Sequence, residues 1–271
     1  MIPGHDHNRR AWDARARKGQ RFARPVSDRD FNAAEDAVET ETWLNAEFRG
    51  KDVLCLAAGG GRQSILYAAR GAKVTVIDIS PEMLAIDRQV AAERQLAVVT
   101  VEASMDDLSS ISADSFDYVI QPVSTCYVSD VSKVYREVAR VIRRGGVYVS
   151  QHKQPASLQA GVQPSPSGYE LQERYYREGP LPPVSDSRHR EEGTLEYLHR
   201  WDQLLGGMCR AGFVIEDLVE PSHNNARQPP GTFAHRSSYV APYVRVRSRY
   251  VGDAQKPPSG GCSPGGIVVL D

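Results

Sequence analysis

The run KDVLCLAAGGGRQSILYAARGAKVTVIDIS, residues 51–80, constrains the fold more than any other part of the chain. An apolar stretch over 53–57 reads as a buried strand. The glycines Gly59, Gly60 and Gly61 interrupt it and turn the backbone. A helical pattern follows over about 63–70, and a second apolar strand over 74–79 carries Asp78 near its end. Glycines allow the backbone to approach a ligand closely, and a carboxylate at the end of the next strand can accept hydrogen bonds from two ribose hydroxyls. The arrangement has the logic of a nucleoside site in an α/β sheet.

Two cofactors suit that geometry, a dinucleotide and S-adenosylmethionine. A dinucleotide fingerprint reads G-x-G-x-x-G, and Ser64 stands where its third glycine belongs. The residues after Asp78, Ile79-Ser80-Pro81-Glu82-Met83-Leu84, resemble the D-x-S-x-x-M-L signature of class I S-adenosylmethionine-dependent methyltransferases, of the small-molecule type that includes ubiquinone- and menaquinone-biosynthesis enzymes. The resemblance is close over 50–152 and looser to about 250. It implies a Rossmann-like three-layer sandwich, with a seven-stranded, mostly parallel sheet whose last strand is antiparallel. It also implies S-adenosylmethionine as cofactor and S-adenosylhomocysteine as product. Asp78 would hold the ribose, Ile79 would pack on adenine, and Ala57, Ala58, Gly59, Gly61 and Met83 would complete the cradle. The chain departs from the family in one respect. An acidic residue usually precedes the glycines, whereas this chain has Leu56-Ala57-Ala58. The amino end of the methionine moiety is then left to backbone carbonyls or to the N-terminal segment.

A chain of 271 residues can bury a sizeable core in one domain with appendages. Its formal net charge is −1, and no like-charged block is long enough for a nucleic-acid track. The N-terminus is locally basic, through Arg9, Arg10, Arg15, Arg17, Lys18, Arg21 and Arg24, either as a solvated helix face or as a substrate entrance. Cysteines 55, 126, 209 and 262 form no C-x-x-C pair, which suits a reducing cytoplasm. With no bilayer-length apolar run and no signal peptide at the start, a soluble cytoplasmic protein is expected.

Residues 1–50 read as a lid segment and a helix. A short helix is expected near 10–18, with Trp12, Arg15 and Arg21 as candidate contacts to the cofactor; Trp12 packing on the domain is the alternative. A longer helix, capped by Ser27 or Asp28, is expected over 31–48. The catalytic domain then spans 51–250. Ser80-Pro81 opens a helix to about residue 95, and a strand is expected over 97–102. After it, Ser104 and Met105 fall where the family grips the adenine edge, Ser104 replacing a frequent Asp. A strand over 115–120 leads into Gln121-Pro122-Val123-Ser124-Thr125-Cys126-Tyr127. Because ligands bind beyond the carboxyl ends of strands in such sheets, Gln121, Ser124 and Tyr127 are candidates near the transferable methyl.

A helix over 131–142 and a turn at 143–146 should precede a strand over 147–151, which places His152 at its carboxyl end. Residues 155–193 are Pro- and Gly-punctuated and Tyr-rich, an irregular insertion expected to cover the substrate, with Tyr176 as a candidate contact. A helix over 194–211 brings in His199 and Arg200, and the last strands are expected over 213–219 and 238–246. The tail, 252–271, is rich in Pro, Gly and Ser and is expected to be disordered.

Methyl transfer from a sulfonium needs in-line alignment and exclusion of water more than covalent help. A general base is useful only for a protonated acceptor, and His152, then His199, are the candidates. No histidine spacing suggests a metal. A small-molecule acceptor is favoured, with no nucleic acid as partner. Two alternatives are an NAD-dependent oxidoreductase and an inactive cofactor-binding partner protein. Oligomeric state and the methylated atom are not legible.

Overall fold

The computed structural model describes residues 3–32, 47–185 and 188–252. Its sheet contains β1 (Asp52–Leu56), β2 (Lys73–Asp78), β3 (Val98–Glu102), β4 (Phe116–Gln121), β5 (Ile142–Lys153), β6 (Phe213–Val219) and β7 (Tyr243–Tyr250), in the order β3-β2-β1-β4-β5-β7-β6. Strands β1 to β5 are parallel, and β7 runs antiparallel to both β5 and β6. This is the Rossmann-like sandwich implied by the resemblance. The strand order reverses between β1 and β4, and this crevice is where an open α/β sheet binds ligands.

Side-chain alternation makes the three layers. Val53 and Cys55 of β1, with Val74, Val76, Ile120, Val147 and Val149, pack under α3 (Gln63–Ala69) and α4 (Pro81–Glu93). Leu54 and Leu56, with Ile77, Val119, Tyr148 and Val246, pack on the opposite face under α5 (Val131–Val141) and α7 (Trp201–Arg210). A strand buried on both faces must be apolar at every position, which is why β1 reads as a continuous run. Ser80 caps α4 by accepting from Met83 N at 3.1 Å, with Pro81 in its first turn. Asp130 caps α5, which buries Val131, Val134, Tyr135, Val138 and Val141 along one face.

Several element boundaries differ from expectation for identifiable reasons. The N-terminal helix α1 runs over Pro3–Arg17, not 10–18, and packs against α4. Helix α2 (Asp28–Asn32) starts at the Ser27 cap, and the rest of the helix expected over 31–48 lies mostly outside the described residues. Residues 143–146 belong to β5 rather than to a turn, with a register shift opposite Phe116 and Tyr118. The helix expected from 194 begins only at Trp201. Residues 194–200 stay extended because their amides bond sideways: Leu195 N to the Asn8 side chain and Tyr197 N to Cys126 O, both at 2.7 Å. The strand expected over 238–246 is displaced to Tyr243–Tyr250. The amides of Ser238 and Val240 are spent closing the turn after α8 (Phe233–Arg236). The described residues of 155–193 hold α6 (Pro155–Gln159) and are otherwise irregular. The tail from residue 253 falls outside the described residues. Among the described residues no helix is long and apolar enough to cross a membrane, and no cluster of potential metal ligands occurs.

Candidate active site

The carboxyl ends of β1, β2, β4 and β5 open into a cavity of about 360 Å³, roofed by α1 and the turn that follows it. Ala57, Ala58, Gly59, Asp78, Ile79, Met83, Ser104, Met105 and Trp12 all line it, as do Ser124 and Tyr127. At its centre Asp78 is buried, and its two oxygens accept from Gly59 N and Ser80 N at 2.9 Å each. Burial pushes its carboxyl up to about 6, despite these amide donors.

The glycine turn has a steric reason. A Cβ on Gly59 would meet Met83 Cβ at 2.8 Å and Asp78 Oδ2 at 3.0 Å. Gly60 and Gly61 take φ of +111° and +68°, a region closed to most side chains. Gly61 does not line the cavity; its α-carbon faces Ile86 and Val90 and lets the turn sit down on α4. Ala57, in a position where φ is +48°, is a non-glycine in the left-handed region, strain of the kind found at ligand sites.

The sequence reading missed how the turn is held from below. Asp87 of α4 is fully buried and accepts from Gly60 N at 2.7 Å and from the Ser64 hydroxyl. Ser64, the misfit of the dinucleotide pattern, is therefore the partner of a carboxylate that clamps the glycine turn. A signal was present, because Asp87 interrupts the buried stripe Met83, Leu84, Val90, Ala91 of an amphipathic helix.

Other expected residues sit elsewhere. The Gln121 side chain is buried and spent inside the protein, donating to Ser124 Oγ at 2.9 Å and accepting from Tyr148. It does not line the cavity. His152 is fully buried, with Nδ1 at 2.8 Å from Thr125 Oγ1 and Nε2 at 2.8 Å from Ser150 Oγ. Burial, with His199 nearby, pulls its pKa down to about 3. His199 is also buried, its Nε2 between the carbonyls of Thr125 and Val128 at 3.0 Å each. Neither lines the cavity; both pin the 3₁₀ turn Thr125–Tyr127. Tyr176 is 76% exposed and stacks under Arg200, and neither reaches the cavity.

The far wall is supplied by Arg21, one of the candidate contacts of the N-terminal segment, and by residues the sequence did not single out: Glu191, Gln151, His223, Tyr243 and Phe22. Behind it is a buried charged network. Lys153 Nζ pairs with Glu191 at 2.6 Å and Glu196 at 3.0 Å, Arg190 pairs with Glu196 at 3.2 Å, and Tyr127 Oη donates to Glu191 at 2.8 Å. Burial alone would lower Lys153 and raise Glu191. The close opposite charges outweigh it, holding Lys153 above and Glu191 below their ordinary values. No periodicity announces Glu191, because it lies in an irregular segment.

Comparison with known proteins bears on the identity of this site. Residues 54–150 match the family described as methyltransferase domain. The chain is 31% identical over 228 residues to the uncharacterized methyltransferase YbaJ of Bacillus subtilis (strain 168), covering 79% of this chain and 89% of that protein. The chain is a class I S-adenosylmethionine-dependent methyltransferase. It is also 34% identical over 199 residues to the ubiquinone biosynthesis O-methyltransferase of Xanthomonas axonopodis pv. citri (strain 306), covering 70% of this chain and 76% of that one. Its fold matches an S-adenosylmethionine-dependent methyltransferase from Mesorhizobium loti with a TM-score of 0.60, at 23% identity over 80% of this chain and 99% of the other. The cavity of this methyltransferase suits its cofactor. Gly59 lacks the Cβ that would meet Met83 and Asp78, and the Asp78 carboxylate stands at the end of β2 on the cavity, an acceptor of the kind that ribose hydroxyls need.

Proposed function

We propose that this methyltransferase modifies a small-molecule acceptor held in the same cavity as the cofactor. The observation that carries this reading is the cavity itself. About 360 Å³ is walled on one side by Ala57, Gly59, Asp78 and Met105 and on the other by Trp12, Val123, Tyr127, Glu191 and Tyr243, with α1 across the top. An enclosed space of that size is typical of small-molecule sites rather than of macromolecular surfaces. The name of the Xanthomonas relative, an O-methyltransferase of ubiquinone biosynthesis, supports an acceptor of small size.

Bound S-adenosylmethionine supplies a methyl group already attached to a sulfonium leaving group. The work left to the chain is binding, orientation and exclusion of water. In this reading Asp78 accepts the ribose hydroxyls, Ile79, Met83 and Met105 wall the adenine, and Ser104 meets its edge. The backbone at Ala57 and Ala58 takes the amino end, which accounts for the missing acid before the glycines. Trp12, on α1, closes the site from above. Bonds that include Ser80 Oγ to Asp13 at 2.6 Å, Arg17 to Glu82 at 3.1 Å and Asn8 Nδ2 to Tyr127 O at 3.0 Å hold that helix across the cavity, and α1 serves as the lid. Ser124 and Tyr127 face the acceptor, and His152 and His199 act as positioning residues for their turn. The free, buried thiols of Cys55 and Cys126 favour a reducing compartment, the cytoplasm.

Calorimetric titration with S-adenosylhomocysteine and, separately, NADH tests the cofactor site, with micromolar binding of the former alone expected. Turnover of labelled S-adenosylmethionine against a panel of small acceptors and a protein-and-RNA extract tests the acceptor. Label appearing only in macromolecules would overturn the small-molecule reading.

A further inference from the structure

Glu191 is nine-tenths buried, lines the cavity, and carries an unequal load on its two oxygens. Oε2 accepts from Tyr127 Oη at 2.8 Å and from Lys153 Nζ at 2.6 Å. Among the described residues Oε1 has no hydrogen-bond donor, and it is not one of the polar atoms sealed from solvent. Oε1 therefore opens on the cavity that Glu191 lines, free to accept from a ligand that brings a donor. Lys153 keeps the carboxyl ionised, and an ionised carboxylate only accepts.

We propose that Glu191 Oε1 is the acceptor-binding group of this methyltransferase, and that the acceptor presents a neutral O–H or N–H to it on an otherwise apolar or aromatic body. This rests on the small-molecule reading of the cavity. Three features shape the ligand. Trp12 and Tyr127 meet edge to face at 5.6 Å and, with Val123, Val128 and Tyr243, form an apolar wall beside the carboxylate. Lys153 and Arg190, with Arg15 also near, offset Glu191 and Glu196, so the chamber does not demand a cation. A neutral hydroxyl or amine also keeps the lone pair that a nucleophile needs, whereas an ammonium has none. Tyr127 and Lys153 are positioning residues in this scheme: by occupying Oε2 they leave Oε1 to the ligand.

The test uses the full chain saturated with S-adenosylhomocysteine. Matched pairs are titrated by calorimetry and ligand-observed NMR: phenol against anisole, benzyl alcohol against benzyl methyl ether, aniline against N,N-dimethylaniline. The protic member of a pair is expected to bind at least about tenfold more tightly. Glu191→Gln should abolish that preference while S-adenosylhomocysteine affinity stays unchanged, Lys153 remaining paired with Glu196. Equal binding within pairs, no binding of any protic member, or a preference that survives Glu191→Gln would overturn the proposal. The pairs on the wild type decide the question even if the variant does not fold. Failure to bind S-adenosylhomocysteine at all is a separate result that removes the cofactor site and this inference with it.

Discussion

Asp78→Asn should separate stability from cofactor binding. At pH 7 the wild-type carboxyl is ionised against a pKa of about 6, raised by burial from 3.8. Keeping it ionised in the free protein costs about 3 kcal/mol relative to the unfolded chain. Asparagine removes that cost but turns an amide group toward one of the two donors, Gly59 N or Ser80 N, a loss of roughly 1–2 kcal/mol. The free variant should thus be about 1–2 kcal/mol more stable than wild type at pH 7. The sign of the pH dependence follows from the raised pKa. Wild-type stability from this group is full below 3.8 and is lost as pH rises through 6, so the variant's advantage should vanish near about pH 5 and turn into a deficit of about 1 kcal/mol by pH 4. Cofactor binding should move the other way, weakening about 10- to 100-fold, as expected when hydroxyl donors lose an ionised acceptor. Urea denaturation at pH 4, 5, 6 and 7, with S-adenosylhomocysteine calorimetry at pH 7, measures both. A variant destabilised by the same amount at every pH, or one with wild-type affinity, would refute the reasoning.

Three other substitutions probe the remaining structure. Gly59→Ala forces a Cβ to within 3.0 Å of Asp78 Oδ2, so calorimetry should show cofactor affinity falling at least about tenfold while denaturation shows a loss of about 1–3 kcal/mol. Lys153→Met leaves Glu191 and Glu196 buried without their shared ammonium partner, and should cost about 3–5 kcal/mol in urea denaturation; a loss under about 1 kcal/mol would show that the network is dispensable. His152 should contribute no inflection to the pH–rate profile between pH 5 and 9, because its pKa is near 3 and both ring nitrogens are engaged. An inflection near neutrality that vanishes in His152→Asn would restore it as a base.

Local chemistry was legible in the chain. The continuous apolar runs, Gly59 to Gly61, and Ser80-Pro81 each dictate their structure through contacts a few residues apart, so β1, the turn and the start of α4 fall where their residues require. Asp78 and Met83 come to the cavity for the same reason: a strand end and a helix start are placed by short-range rules. What sequence reasoning placed less well depends on partners distant along the chain. His152 stands at a strand end, yet Thr125, 27 residues away, draws it into the core. Residues 194–200 have a helical composition, yet Asn8 and Cys126 claim their amides and hold them extended. Glu191 acquires its place from Lys153 and Tyr127, 38 and 64 residues away, through an irregular segment with no periodic pattern. The glycine turn and Asp78 were set by local geometry, whereas the cavity wall around Glu191 was decided by long-range pairing of buried charges, which only the tertiary structure brings together.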